Sequence, residues 1–207
     1  MTRTIGLVTG LLLPLLLAGC PYTLTDLLSG TTDDTTTSTG SGDETNGLGS
    51  SSGTTTNLDL MSEAETIVQV DYPNSLLIEA NGSPSSGSAN AAQDIDQWRF
   101  VFVDDIDATS VGTVLLEYAN GAFGDPQHST QGWIGSVYER LPQDMSLSTA
   151  LEKVREAGYE NDFSAVTLRK PLTFPQPEEA LYSFSLPGQY VMVGVLTGEV
   201  TTEIATE

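Results

Sequence analysis

The sequence predicts an α+β fold, with helices packed on an antiparallel sheet. Three observations carry this. The stretch Asp96–Asp104 alternates, with Trp98, Phe100 and Phe102 on one side, the period-2 signature of a half-buried strand. Leu147, Ala150, Leu151, Val154 and Ala157 repeat at helical spacing before Gly158, as an amphipathic helix ending at a left-handed cap should. The turn pairs Asn81-Gly82, Asn120-Gly121 and Pro187-Gly188 punctuate the runs between, where tight turns need residues with special backbone angles.

In order, a helix is expected near Met61–Tyr72, with Ser62 and Glu65 as a capping box. A short strand follows in NSLLIEANG, ending at the Asn81-Gly82 turn. SPSSGSANAAQD is a loop, DQWRFVFVD a strand, and DDIDATS a turn region. VGTVLLEYANG is the next strand. A long loop then carries Trp133 and Tyr138. The second helix starts at Ser146 or Ser148. SAVTLRKPL, ALYSFSL and QYVMVGVLTGEV are three further strands. Each half therefore reads helix, strand, strand, strand, and VLLEYANGAF aligns with VMVGVLTGEV through Gly121 and Gly198. Two tandem units are expected, residues 58–125 and 146–207, joined by a connecting loop 126–145.

The N-terminal part differs in kind. MTRT carries one positive charge, and an apolar run too short to span a bilayer follows it. It ends Leu17-Ala18-Gly19-Cys20, with the only cysteine among 207 residues. A lone cysteine can form no internal disulfide and no thiolate metal cluster. These four residues resemble the lipobox of bacterial lipoproteins. The resemblance implies a signal peptide, residues 1–19, cleaved before Cys20, and a lipidated Cys20 that anchors the chain to the cell envelope on the extracytoplasmic side. Pro21 stands where an aspartate would favour inner-membrane retention, so the outer membrane is favoured in a two-membrane cell. Residues 20–57 are rich in Thr, Ser, Gly and Asp, too polar to fold alone, and are expected to form a disordered tether.

Gly158-Tyr159 and the closing Thr197-Gly198-Glu199-Val200 resemble a PepSY-type domain, with Val195 where that motif has an aspartate. The wider PepSY-like group includes duplicated modules such as beta-lactamase inhibitory proteins. The resemblance implies an extracytoplasmic, non-catalytic role: binding or inhibition of a partner, an envelope or extracellular protein, through a concave sheet face. A structural spacer of the envelope is the alternative.

Net charge of −21, from 7 basic and 28 acidic residues, repels phosphate backbones, so no nucleic-acid partner is expected. No cofactor motif is present, and no catalytic residue is assigned. The single histidine, His128, lies near Asp125 and Ser129 without a glycine-framed nucleophile, so a hydrolase is a distant reading and a solvated loop histidine the expected one. Asp104, Asp105 and Asp107 are weak calcium candidates, since their segment lacks the glycine and terminal glutamate of an EF-hand. Trp133 and Tyr138 are the candidate partner-binding residues. If they anchor a partner, alanine at either position abolishes capture without lowering stability.

Overall fold

A computed structural model describes residues 55–104 and 111–204. The candidate ligands Asp105 and Asp107 and the lipidation candidate Cys20 lie outside the described residues. Among those described, no helix is long and apolar enough to cross a membrane.

The α+β class holds: among the described residues, two α-helices lie on one antiparallel sheet of nine strands. Helix α1 (Asn57–Gln69) leads into β1 (Leu76–Ser83), β2 (Gln97–Asp104), β3 (Gly112–Ala119), β4 (Ala122–Phe123) and β5 (Gln127–Ser129). Helix α2 (Leu147–Glu156) leads into β6 (Val166–Arg169), β7 (Leu181–Leu186), β8 (Gln189–Gly194) and β9 (Val200–Ile204). The sheet runs β4-β3-β2-β1-β6-β7-β8-β9, and β5 also pairs with β3.

Helix α1 begins earlier than its apolar pattern suggests. Thr56, not Ser62, is the cap. Its hydroxyl accepts from the Asp59 amide, and the Asp59 carboxylate accepts from the Thr56 amide. A Thr-Asn-rich approach hides this capping box at the end of a polar run. The second helix starts at Ser146, whose hydroxyl accepts from the Thr149 amide. Gly158 follows it at φ 91°. Ala157, placed on the apolar stripe, is exposed instead, because the chain leaves the helix there.

Both helices pack on the same sheet face. Met61, Ala64 and Val68 of α1, and Leu147, Ala150 and Val154 of α2, meet Phe100, Phe102, Leu116, Leu168, Tyr182, Phe184 and Val191 in one core. Trp98, Phe100 and Phe102 point into it as expected. Asn81 and Gly82 form no turn. They continue β1, paired with Arg99 and Trp98. Gly82 is needed there for room: a Cβ would stand 2.7 Å from Ile95 Cγ2 and 3.0 Å from the Trp98 ring. Asn120 (φ 55°) and Gly121 (φ 79°) do form the turn between β3 and β4. Gly188 (φ 75°) closes the β7–β8 turn, with Pro187 before it. The expected last strand is two, because a turn at Thr197-Gly198 separates β8 from β9. Glu179, far back in the chain, holds that turn by accepting from the Thr197 hydroxyl and the Leu196 and Thr197 amides.

A buried polar hub joins the two helix starts. Asn57, at the expected end of the tether, lies inside the fold at 7% exposure. Its amide group donates to the Tyr182 hydroxyl at 2.8 Å, and its carbonyl oxygen accepts from the Leu147 amide at 2.8 Å. Tyr182 in turn donates to the Met145 carbonyl oxygen at 2.9 Å. Burial pushes the Tyr182 phenol up to about 12, against a smaller opposing effect of the Asn57 hydrogen bond. The fold therefore favours neutral Tyr182, while the unfolded chain ionises near pH 10. This contribution to stability is complete below about pH 10 and is lost as pH rises toward 12. The expected loss is about 2–3 kcal/mol, read as a falling denaturation midpoint that Tyr182→Phe removes.

Candidate functional site

The sheet face opposite the helices is built differently in its two halves. In the β1–β3 half, a bulge in β1 breaks the alternation between Leu77 and Glu79. It turns two successive side chains, Ile78 and Glu79, to this face, while Leu77 and Ala80 stay in the main core. Ile78, Val101 and Val103 form a small second core, and the partly buried Trp133 covers it. Glu79, 4% exposed, pins this cover. It accepts from Trp133 Nε1 at 3.0 Å, from the Ser136 hydroxyl and from Asn81 Nδ2 at 2.8 Å. Arg169 approaches it at 3.8 Å. A buried carboxylate is tolerable because it is surrounded by donors. Tyr138 donates its hydroxyl to the Trp133 carbonyl oxygen at 2.7 Å and is 37% exposed.

Trp133 and Tyr138 are thus brought together, in a loop that seals half of the face. The expectation that Trp133→Ala leaves stability untouched does not fit this packing. Its ring fills the second core, and its N–H helps neutralise a buried acid.

Among the described residues, the β6–β9 half has no such cover. A strap, residues 171–177, borders it and leaves a groove of about 830 Å³. Arg169, Phe174, Tyr190, Met192 and Glu203 line the groove, with Ser183 and Ser185 among the lining hydroxyls. Such a volume falls in the range of ligand-binding clefts. The strap is anchored to the covering loop: Leu172 donates its amide to the Gly135 carbonyl oxygen, and Val137 donates to that of Lys170, both at 2.9 Å. Among the described residues, seven large apolar side chains are exposed. Five of them, Ile134, Tyr138, Leu172, Phe174 and Tyr190, lie in the covering loop, the strap or the groove. That concentration distinguishes this side from the rest of the surface.

Sequence reasoning missed the groove. Tyr190 and Met192 alternate with the core residues Val191 and Val193 in β8. A strand apolar on both sides signals that its second face is also used, and this was the available clue. Nothing local pointed to Glu79, whose place depends on the bulge.

His128 is not in a loop but in the short strand β5. Its ring stacks on Tyr72, with centroids 5.2 Å apart, and Nε2 lies 3.1 Å from Asp104 Oδ2. The Ser129 hydroxyl accepts from the Gln131 amide. Asp104 thus has a partner, and no group of three His, Cys, Asp or Glu side chains fit to hold a metal occurs among the described residues.

Comparison with protein-family models, with curated proteins and with solved structures finds no match.

Proposed function

We propose that the chain is a lipoprotein of the cell envelope, anchored through Cys20 on the extracytoplasmic side, whose folded domain binds a partner without catalysing a reaction. The groove between the strap and β7–β9 is the binding surface. The observation that carries this is the half-face that the described residues leave uncovered, with Tyr190 exposed and Met192 beside it next to an otherwise sealed sheet. Exposed aromatics over a concave apolar surface are the usual anchors of binding sites. The acidic chain favours a neutral or basic partner over a nucleic acid.

Two PepSY-like units fit the layout. Reading outward from the centre, β1-β2-β3 mirrors β6-β7-β8, and β1 and β6 pair antiparallel. A duplication joined through the first strand of each unit would have this order. The short strands β4, β5 and β9 then extend the outer edges.

The anchor is tested by mass spectrometry of the mature protein from its native envelope. A chain beginning at an acylated Cys20 is the expected result. An unmodified chain retaining residues 1–19, or one cut elsewhere, contradicts it. Cys20→Ala is expected to release the protein from the lipid-bound to the soluble pool or to leave it unprocessed.

A further inference from the structure

We propose that the covering loop and the strap together form a rim that rests on the membrane carrying the protein's own anchor. This rests on the lipoprotein reading. Three apolar side chains protrude from two loops that are tied to each other. Ile134 is 89% exposed, Leu172 62% and Phe174 102%, and the Leu172-to-Gly135 hydrogen bond sets the loops side by side. These loops are held by structure: Glu79 fixes Trp133 and Ser136, and Ser136 bridges to Pro171. Fixed loops that present apolar tips lose little backbone freedom on insertion, and burying the tips releases the water around them.

The chain outside the described residues brings a bilayer within reach. Residues 20–54 lie outside the described residues, and a chain of that length reaches no further than about 110 Å. Attachment at Cys20 would confine the domain to that reach of the lipid surface, so weak contacts act at high effective concentration. Charge selects the kind of surface. With a net charge of −21 the chain is repelled by anionic headgroups, and the two cations before the strap already face acids, Lys170 on Glu139 and Arg169 near Glu79. A zwitterionic surface suits this combination. Shallow insertion of three apolar side chains, without a basic helix face, is an interfacial contact and not a span.

The test uses the full-length lipidated protein on phosphatidylcholine vesicles containing a lipid-borne fluorescence quencher. In this reading the Cys20 thiol is consumed by lipid, so an introduced cysteine is the only site for a fluorophore. Gln176→Cys places it on the strap and Glu152→Cys on α2, both exposed positions. The label at position 176 should be quenched and that at 152 not. The triple variant Ile134→Ser, Leu172→Ser, Phe174→Ser should lose the quenching while the protein still floats with the vesicles. All three side chains are exposed, so the fold should persist, and an unchanged denaturation midpoint checks this. Flotation without quenching at 176, or equal quenching at both positions, overturns the rim and leaves the anchor standing. Failure to float overturns the anchor, and the rim with it.

Discussion

Asn57→Ala is expected to lower the unfolding free energy by about 2–3 kcal/mol, more than its place at the very start of a helix suggests. The side chain is buried and makes one hydrogen bond as donor and one as acceptor, to Tyr182 and Leu147. Alanine leaves the first amide of α2 without its side-chain acceptor in a largely buried site. It also leaves the Tyr182 hydroxyl with only the Met145 carbonyl oxygen. An orphaned buried donor costs its full desolvation, which exceeds the net value of the bond that is lost. The comparison that separates hub from cap is Thr56→Ala. That change removes only the capping hydroxyl and should cost about 1 kcal/mol. Urea denaturation reads both. A loss for Asn57→Ala no larger than for Thr56→Ala would show that the hub does not join the two helix starts.

Glu79→Ala should cost about 3 kcal/mol and should release the covering loop. Its carboxylate accepts from Trp133, Ser136 and Asn81, and Arg169 stands nearby. Removing it strands these donors against the second core at once. The change should be visible beyond stability. Trp133 should move into water and shift its fluorescence to the red, while Trp98, buried in the main core, stays constant. Glu79→Gln keeps an oxygen acceptor but turns an amide N–H toward existing donors, so an intermediate loss is expected. Unchanged emission in Glu79→Ala would mean that Trp133 is held by packing alone.

These two sites show where local reading stops. The helix-facing strand residues Trp98, Phe100 and Phe102, the α2 stripe, and the turns at Asn120-Gly121 and Pro187-Gly188 follow from period and turn chemistry, which act over a few residues. Asn81-Gly82 has the same turn composition as Asn120-Gly121, yet it lies inside β1. There the deciding fact is the Trp98 ring and Ile95 over Gly82, a contact between separate parts of the chain. The bulge at Ile78 has no sequence mark either. It is stabilised by what Ile78 and Glu79 then touch, Val101 and Val103 for one and the covering loop for the other. The start of α1 was hidden because Thr56 and Asp59 prolong a Thr- and Asp-rich run. Trp133 and Tyr138 stand out in the sequence as aromatics in a long loop that need a reason. Their reason includes sealing the sheet, and the exposed aromatics of the open half are Phe174 and Tyr190.

The central claim is that the open half-face binds a partner while the chain is tethered at the envelope. A photo-crosslinking residue placed at Tyr190 in the full-length chain, activated in intact envelope, tests it most directly, with the same residue at Glu152 on the helix side as the reference. The account predicts one discrete adduct from position 190, absent from position 152 and suppressed by Met192→Arg in the groove. No adduct from either position, or the same adducts from both, would contradict it.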